Sequence, residues 1–356
     1  MRINQIGFNG KTVVILGAGA TRGEKFVEKK SGVLPPLDKD FFTQAQRLSP
    51  TKAKQGLEGL ISDVSGLLGP NFKVTMEGYL TLLQQLDSVE ISYRLEGRPP
   101  ERKPYKDMRT RFIQVLAAVI HEAIYEATKK KGKCEYHEHL VECLDSQDTI
   151  LSLNYDCLID YALKNRGKGK WNPRIGYGLK AYKAKKGTKY WAFQENKQEQ
   201  YPDETVKLLK LHGSLTWAQA RKVKNESTRR LELKERWWHQ RGNVRCEITP
   251  PEWNKSIQSS IYVPVWREAR RALLKQAKAL VFIGYSLPTT DLPFHALLRI
   301  DEKKAENLSL LVVVNPDPEA RNRIRQVVLH RINDQTRVLS FEKFEEFSKF
   351  LCPPSS

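Results

Sequence analysis

The 356-residue sequence is poor in the features that place a chain outside the soluble compartment. It has no run of 18 consecutive apolar residues, so no membrane span is expected. The apolar stretch in MRINQIGFNGKTVVILGAGA is short and leads into glycines rather than a signal-peptide cleavage site. Its five cysteines, Cys134, Cys143, Cys157, Cys246 and Cys352, contain no C-x₂-C pair, which disfavours a zinc ribbon. Their odd number does not suit a disulfide framework, so a cytoplasmic chain with reduced thiols is expected. Cys134, His137, His139 and Cys143 are the one metal-like cluster. They read better as helix packing, and no zinc or other metal is expected. With 21 Gly and 18 Pro the chain is neither fibrous nor linker-like. Acid is also short: 41 Asp and Glu face 60 Lys and Arg, a formal net charge of +19. That balance favours an anionic partner such as nucleic acid, a polyphosphate cofactor or an acidic protein.

What is present is a globular composition, 40% hydrophobic and 28% charged, with length for one large domain or two small ones. Short β-branched or apolar runs recur at Thr12–Leu16, Thr149–Leu153, Val206–Leu211, Leu280–Ile283, Leu308–Val314 and Val338–Phe341. Helices are expected between them, at Asp156–Leu163, Ala269–Ala279, Asp291–Leu298, Glu319–Val328 and Glu342–Leu351. Residues 38–130 look mainly helical. In Met108–Lys129, Phe112, Val115, Leu116, Val119, Ile120 and Ala123 recur at helical spacing. Gly97–Pro104 reads as a surface break. Residues 166–200 read as an insertion or mobile loop, and 216–262 as irregular with a charge-dense helix at Glu226–Trp238. Strands that are apolar throughout and alternate with helices indicate an α/β fold with a Rossmann-like, mostly parallel sheet. Helices should cover both faces, with a largely helical insertion added.

Each candidate motif follows one of these strands: GAGAT at 17–21, NYD at 154–156, HGS at 212–214, GYS at 284–286 and NPD at 315–317. In a parallel sheet they share the edge where ligands bind. Gly17 and Gly19 permit a tight turn and close approach of backbone to a phosphate, and Thr21 adds a hydroxyl donor. GAG alone is a weak signal. It lacks the full G-x-G-x-x-G pattern, because position 22 is arginine and Gly23 falls one place late. His212 suits a general base, a partner for a ribose hydroxyl, or a hydrogen-bonded core-edge histidine. Asn154 offers a donor and an acceptor for a water or a ribose hydroxyl. Asp156 suits a carboxamide N–H or a helix cap. Ser286 suits a phosphate or a turn. Asn315 and Asp317 suit an adenosine ribose or a turn.

On these motifs the sequence resembles the sirtuin (Sir2-like) superfamily, and more closely its bacterial antiphage-defence NAD-hydrolase branch. Gly17, Ala18, Gly19 and Thr21 match the family's GAG-x-S motif, with threonine for serine. Asn154 and Asp156 match Q-N-x-D, with Leu153 for the glutamine. His212 matches the catalytic histidine of the H-G motif. Gly284 and Ser286 match the G-x-S motif that touches cofactor phosphates, and Asn315 the late asparagine that contacts adenosine ribose. The four-cysteine zinc module and the G-I-P-D-F-R stretch of the deacylases are missing; Gly32, Pro35 and Pro36 in GVLPPL are the nearest echo.

The resemblance implies hydrolysis of NAD to nicotinamide and ADP-ribose, as the toxic effector of a defence system. Asn154, His212 and Asp156 would be catalytic. Gly17, Ala18, Gly19, Thr21, Gly284, Ser286 and Asn315 would bind NAD. Residues 1–30, 145–165, 205–215 and 265–356 would form a discontinuous catalytic core. Residues 31–144 would be a helical insertion, with 166–204 and 216–264 as basic and aromatic insertions. An NAD-dependent protein deacylase and a non-catalytic NAD, ADP-ribose or nucleic-acid binding module remain open. Control of a toxic activity calls for a homo-oligomer, a partner ATPase or translocase, or a phage-derived activator. The interleaved Lys, Arg, Trp and Tyr of the basic insertions suit nucleic acid.

Overall fold

The computed structural model describes residues 11–28, 32–49, 52–95, 104–129, 134–173, 175–178, 181–183, 190–193, 205–219, 231–234, 246–248, 262–299 and 306–352. Its strands are β1 (Lys11–Leu16), β2 (Thr149–Ser152), β3 (Ala181–Lys183), β4 (Tyr190–Phe193), β5 (Lys207–Lys210), β6 (Gly213–Gln219), β7 (Leu231–Lys234), β8 (Cys246–Ile248), β9 (Ala277–Ile283), β10 (Leu310–Val314) and β11 (Arg337–Phe341). The helices are α1 (Ala18–Arg22), α2 (Lys25–Glu28), α3 (Phe41–Gln46), α4 (Lys52–Leu68), α5 (Met76–Leu95), α6 (Pro104–Lys129), α7 (Glu135–Cys143), α8 (Leu158–Arg166), α9 (Tyr262–Arg271), α10 (Leu292–Arg299), α11 (Pro318–Val327) and α12 (Phe344–Leu351).

Six strands form one sheet in the order β11-β10-β9-β1-β2-β5, and every neighbouring pair is parallel. Counted along the chain within this sheet, the order is 3-2-1-4-5-6. That is the doubly wound arrangement, with its order reversing between β1 and β9. The chain leaves β1 toward one side and returns through β9 to build the other, so the loops above these two strands diverge. The composition of the strands follows from this placement. Val13 to Leu16, Leu280 to Ile283 and Leu310 to Val314 are all buried, as a sheet covered on both faces requires. The edge strand β11 is largely exposed. The opposite edge strand, β5, is buried along its length. Its Lys207 is accommodated by Glu268 of α9, whose Oε1 accepts from Nζ at 2.6 Å.

The expected helical insertion is present as α3 to α6. The six apolar positions named in Met108–Lys129 are all buried. Phe112 joins Phe41 and Tyr79 in a ring cluster with centroids 4.9 and 5.8 Å away, to which Phe42 and Phe72 add edge contacts. This packing is continuous with the core of the sheet. The 97–104 break lies outside the described residues except for Pro104, which opens α6, a position where its missing N–H costs nothing.

The basic insertions differ from expectation. Parts of both segments pair as a second, antiparallel sheet, β3-β4-β7-β6-β8. Within the expected helix at Glu226–Trp238, residues Leu231–Lys234 are strand β7; the rest of that range lies outside the described residues. The sequence LELK alternates apolar and charged residues at the strand period. Ladder bonds to β4 and β6 then outweigh a helical preference set by charge density alone. In the first segment Trp171 and Tyr177 are buried and meet edge to face at 5.4 Å, and Tyr177 meets Trp217 at 5.7 Å.

At the amino end of the sheet, Asp148 ties three strands together. Its Oδ1 accepts from the Thr12 amide of β1 at 2.8 Å, Oδ2 from the Asp145 amide at 2.8 Å, and its carbonyl from Lys207 of β5 at 3.1 Å. Burial pushes this carboxyl up to about 6, against the pull of those amides. A folded-state value above the ordinary carboxylate value means the native state holds the proton more tightly than the unfolded chain. The linked stability is present at low pH and is lost as pH rises through about 6. Urea unfolding of wild type and Asp148→Asn from pH 4 to 7 should show the difference moving toward the variant by on the order of 2–3 kcal/mol. A pH-independent difference would remove Asp148 as the titrating group.

Candidate functional site

The five motif loops lie side by side along the carboxyl edge of the parallel sheet. The residue after each strand continues the ladder. Gly17 donates to Ile283 O at 3.0 Å, Leu153 to Leu16 O at 2.9 Å and Leu211 to Ser152 O at 3.0 Å. Gly284 donates to Val314 O at 2.8 Å and Asn315 to Phe341 O at 3.0 Å. The loops therefore run in the order HGS, NYD, GAG, GYS, NPD across five adjacent strands, or roughly 19 Å at the usual spacing between strands.

At the switch point the glycines serve each other. A Cβ on Gly17 would stand 2.6 Å from Gly284 O, and one on Gly19 would stand 2.7 Å from the same atom. Gly284 has φ of +60°, and a Cβ there would meet Ala20 N at 2.0 Å. Gly19 N–H donates to Gly284 O at 2.9 Å. The close approach these glycines permit is to the neighbouring loop. Ala18 is exposed and lies with buried Thr21 in α1.

Thr21, Asn154 and Asp156 form one buried network. The Thr21 hydroxyl donates to Asp156 Oδ2 at 2.8 Å, so its proton serves the neighbouring loop rather than standing ready for a ligand. Asn154 Nδ2 donates to Gly17 O at 3.0 Å and to Thr21 Oγ1 at 3.3 Å. Asn154 Oδ1 is buried with no hydrogen-bond partner. Asp156 Oδ1 accepts from the Leu158 amide at 2.9 Å at the start of α8, which satisfies one of the helix's open donors. Beneath this loop the Lys210 ammonium donates to Asp156 O and sits 3.4 Å from Asp160 Oδ2, with both side chains inaccessible to solvent. Burial opposes the charge on Lys210, but the carboxylates around it prevail and hold its ionisation above the ordinary value. The Tyr177 hydroxyl donates to Asp160 Oδ1. Cys157 Sγ lies 3.6 Å from Ser214 Oγ, and burial pushes its thiol up, which removes it as a nucleophile.

His212 is buried between loops. Its backbone neighbours are fixed by Trp266, whose Nε1 donates to Leu211 O at 3.1 Å, and by Gly213, whose φ of +80° favours glycine. The Tyr155 ring lies 6.3 Å away, centre to centre. From the far side of the switch point, the segment after GYS folds across the edge and brings Asp291 Oδ2 to 3.9 Å from His212 Nε2. The Tyr285 hydroxyl donates to the same oxygen at 2.6 Å. Burial and the Asp291 carboxylate push this phenol well above its ordinary value and keep it a donor. One residue earlier, Thr290 donates to Glu77 Oε2 of α5 at 2.6 Å, and the Glu77 amide donates to Asp38 Oδ1 at 2.7 Å. The helical insertion thus reaches the residue beside Asp291.

At the other end, Asn315 Nδ2 donates to Tyr285 O at 3.1 Å and its Oδ1 accepts from Asp317 N at 3.0 Å. Asp317 caps α11 by accepting from Glu319 N at 2.9 Å. Ser286 is exposed, and its carbonyl accepts from Arg323 Nε and Nη2 at 3.1 and 3.0 Å. Arg321 Nη1 donates to Asn315 O at 2.6 Å. Two guanidinium groups therefore stand beside the GYS and NPD loops.

Asp291, Tyr285, Lys210 and Tyr177 were not among the sequence-derived candidates. A lysine in an apolar strand is the readable anomaly for Lys210; Asp291 stands at the start of an expected helix and carries no such signal. The Cys134–Cys143 cluster is dispersed. His137 Nδ1 lies 2.8 Å from Glu24 Oε1, His139 Nδ1 lies 2.7 Å from Ser348 Oγ, and burial pushes the Cys134 and Cys143 thiols up. Among the described residues no group of three or more His, Cys, Asp or Glu is placed to hold a metal ion. No described helix is long and apolar enough to cross a membrane.

The glycine contact gives a sharp expectation. Gly284→Ala should lower stability by at least ~3 kcal/mol, from left-handed strain plus a backbone clash, or prevent soluble expression. Ser286→Ala, two residues on and exposed, should stay within about 0.5 kcal/mol of wild type. Thermal melts of the two variants check this; equal melting temperatures would refute the interlock.

No curated protein matches this sequence. Residues 51–347 match the family described as a domain of unknown function, DUF4917. The matched span begins after the glycine turn and takes in the loops bearing Asn154, His212, Gly284 and Asn315. Because it covers most of the sequence, the chain belongs to the DUF4917 family.

Proposed function

We propose that this chain hydrolyses NAD to nicotinamide and ADP-ribose. The observation that carries the reading is Asn154, whose amide nitrogen is held by Gly17 and Thr21 while its buried Oδ1 has no partner. An unmet buried acceptor costs about 1–3 kcal/mol. A donor on a ligand or attacking water would recover that cost. The atom belongs to the edge where a doubly wound sheet binds ligands, in the loop next to that of His212. The likeness of the five motifs to the sirtuin pattern supplies the choice of NAD and of the bond broken.

In this reading the pyrophosphate lies beside Ser286, with Arg321 and Arg323 supplying positive charge. Gly17, Ala18, Gly19 and Gly284 shape the floor. Asn315 fixes the loop on the adenosine side. Asp156, with Thr21, sets the position of Asn154 and turns the loop toward the carboxamide. Asn154 Oδ1 accepts from the water. The water oxygen bonds to the ribose carbon as its bond to the nicotinamide nitrogen breaks, nicotinamide leaves neutral, and His212 takes the water's proton. Much of the acceleration is positioning and fixed electrostatics. The reading includes a homo-oligomer acting as a defence effector, triggered by an ATPase partner or a phage component.

Purified protein, alone and with candidate activators, should release nicotinamide and ADP-ribose from NAD without an acylated peptide, followed by chromatography. His212→Ala should reduce turnover by roughly 10²–10⁴-fold with binding less affected. Asn154→Ala should remove most turnover. Release only when acyl-lysine peptide is supplied would identify a deacylase. Tight NAD binding without release would identify a sensor module.

A further inference from the structure

We propose that Asp291 is the positioning carboxylate of His212, holding the imidazole in register and balancing its charge when it takes a proton. This assignment rests on the hydrolase reading above for its catalytic meaning, but its geometry stands independently. Asp291 and His212 are both buried, with Oδ2 and Nε2 3.9 Å apart. A buried carboxylate needs partners, and Oδ2 takes the Tyr285 proton at 2.6 Å. Tyr285 is itself confined: its ring packs edge to face on Phe294 at 5.3 Å, and its carbonyl accepts from Asn315. The carboxylate is therefore aimed by two neighbouring strands' loops rather than by its own chain alone.

The topology makes this contact costly to build, which argues against coincidence. β5, before His212, and β9, before Asp291, are separated by β1 and β2. The segment from Gly284 to Asp291 must cross that interval, and it does so with Leu287 at φ of +49°, a conformation few non-glycine residues adopt. Leu287 is fully buried, so the strained residue anchors the crossing segment instead of fraying it. Pro288 O accepts from the Asp291 amide at 3.0 Å and lies 3.0 Å from His295 Nε2, which closes the turn immediately before the acid.

The chemistry follows from the charge. As water adds to the ribose carbon and nicotinamide departs, the proton moves from water to His212 and creates an imidazolium in a buried site. A carboxylate within ion-pair distance stabilises that cation and leaves the substrate contacts unchanged. Tyr285 stays neutral and keeps the carboxylate pointed at the ring. Lys210 and Asp160, two further buried charges near this edge, are matched to each other beneath the NYD loop.

The test uses the full chain with two readouts. Histidine-selective NMR follows the His212 ring, identified among seven histidines by its loss in His212→Ala. Asp291→Asn keeps an oxygen for the Tyr285 hydroxyl and removes the charge. It should shift the His212 ring resonances, lower kcat on the order of 10²–10⁴-fold, and leave KM nearly unchanged. Should Asp291→Asn fail to fold, Tyr285→Phe removes the group that aims the carboxylate and should shift the same resonances with a kcat loss of about tenfold. If no wild-type assembly releases nicotinamide yet Asp291→Asn still moves the His212 signals, the pair stands and the hydrolase reading falls. Unmoved His212 signals, or an active wild type matched in kcat by Asp291→Asn, would overturn the assignment.

Discussion

Everything at the candidate site depends on two chain segments meeting where neither can carry a Cβ. Gly17 and Gly19 press on Gly284, with amide-to-carbonyl bonds sealing the contact. The switch point of a doubly wound sheet would otherwise be a gap between diverging loops. Here its base is filled by backbone. Asn154 takes its bearing from Gly17 O, and Tyr285, whose hydroxyl aims Asp291, directly follows Gly284. A methyl group at the interlock would displace both sides at once.

A second theme is that the polar groups at this edge hold one another. Thr21 gives its proton to Asp156, Asp156 meets the first amide of α8, and Asn315 bridges to Tyr285. Fully satisfied buried networks of this kind confer rigidity. Against that background the single unsatisfied oxygen of Asn154 stands out, because its own nitrogen is already committed twice. Among the described residues the site has the character of a rigid frame in which the Asn154 acceptor is unmatched, which suits positioning better than flexible capture.

The parts of this architecture that were legible in the sequence are those governed by local pattern. LSLLVVV reads as a buried strand, and the spacing of Phe112 to Ala123 as a helix face. The motifs were recognisable because each closes such a strand. What escaped was decided by pairing between distant residues. LELK looked helical by charge density and became a strand through its partners. Asp291 falls at the start of an expected helix, and nothing near it in sequence announces His212, 79 positions earlier in the numbering. For Thr21 the residue type shows a donor but not its acceptor, Asp156.

The bond from Thr290 to Glu77 gives the helical insertion a lever arm. Glu77 lies in the first turn of the long helix α5, and Thr290 is one peptide from the carboxylate that faces His212. The path from α5 to the imidazole is that hydrogen bond, one peptide link and the 3.9 Å contact between Asp291 and His212. Linked equilibria are reciprocal, so a ligand that shifted Asp291 would bias α5 by the same free energy with which α5 would bias that ligand. The insertion is thus joined in series with the sheet edge through Thr290 and the residue beside it.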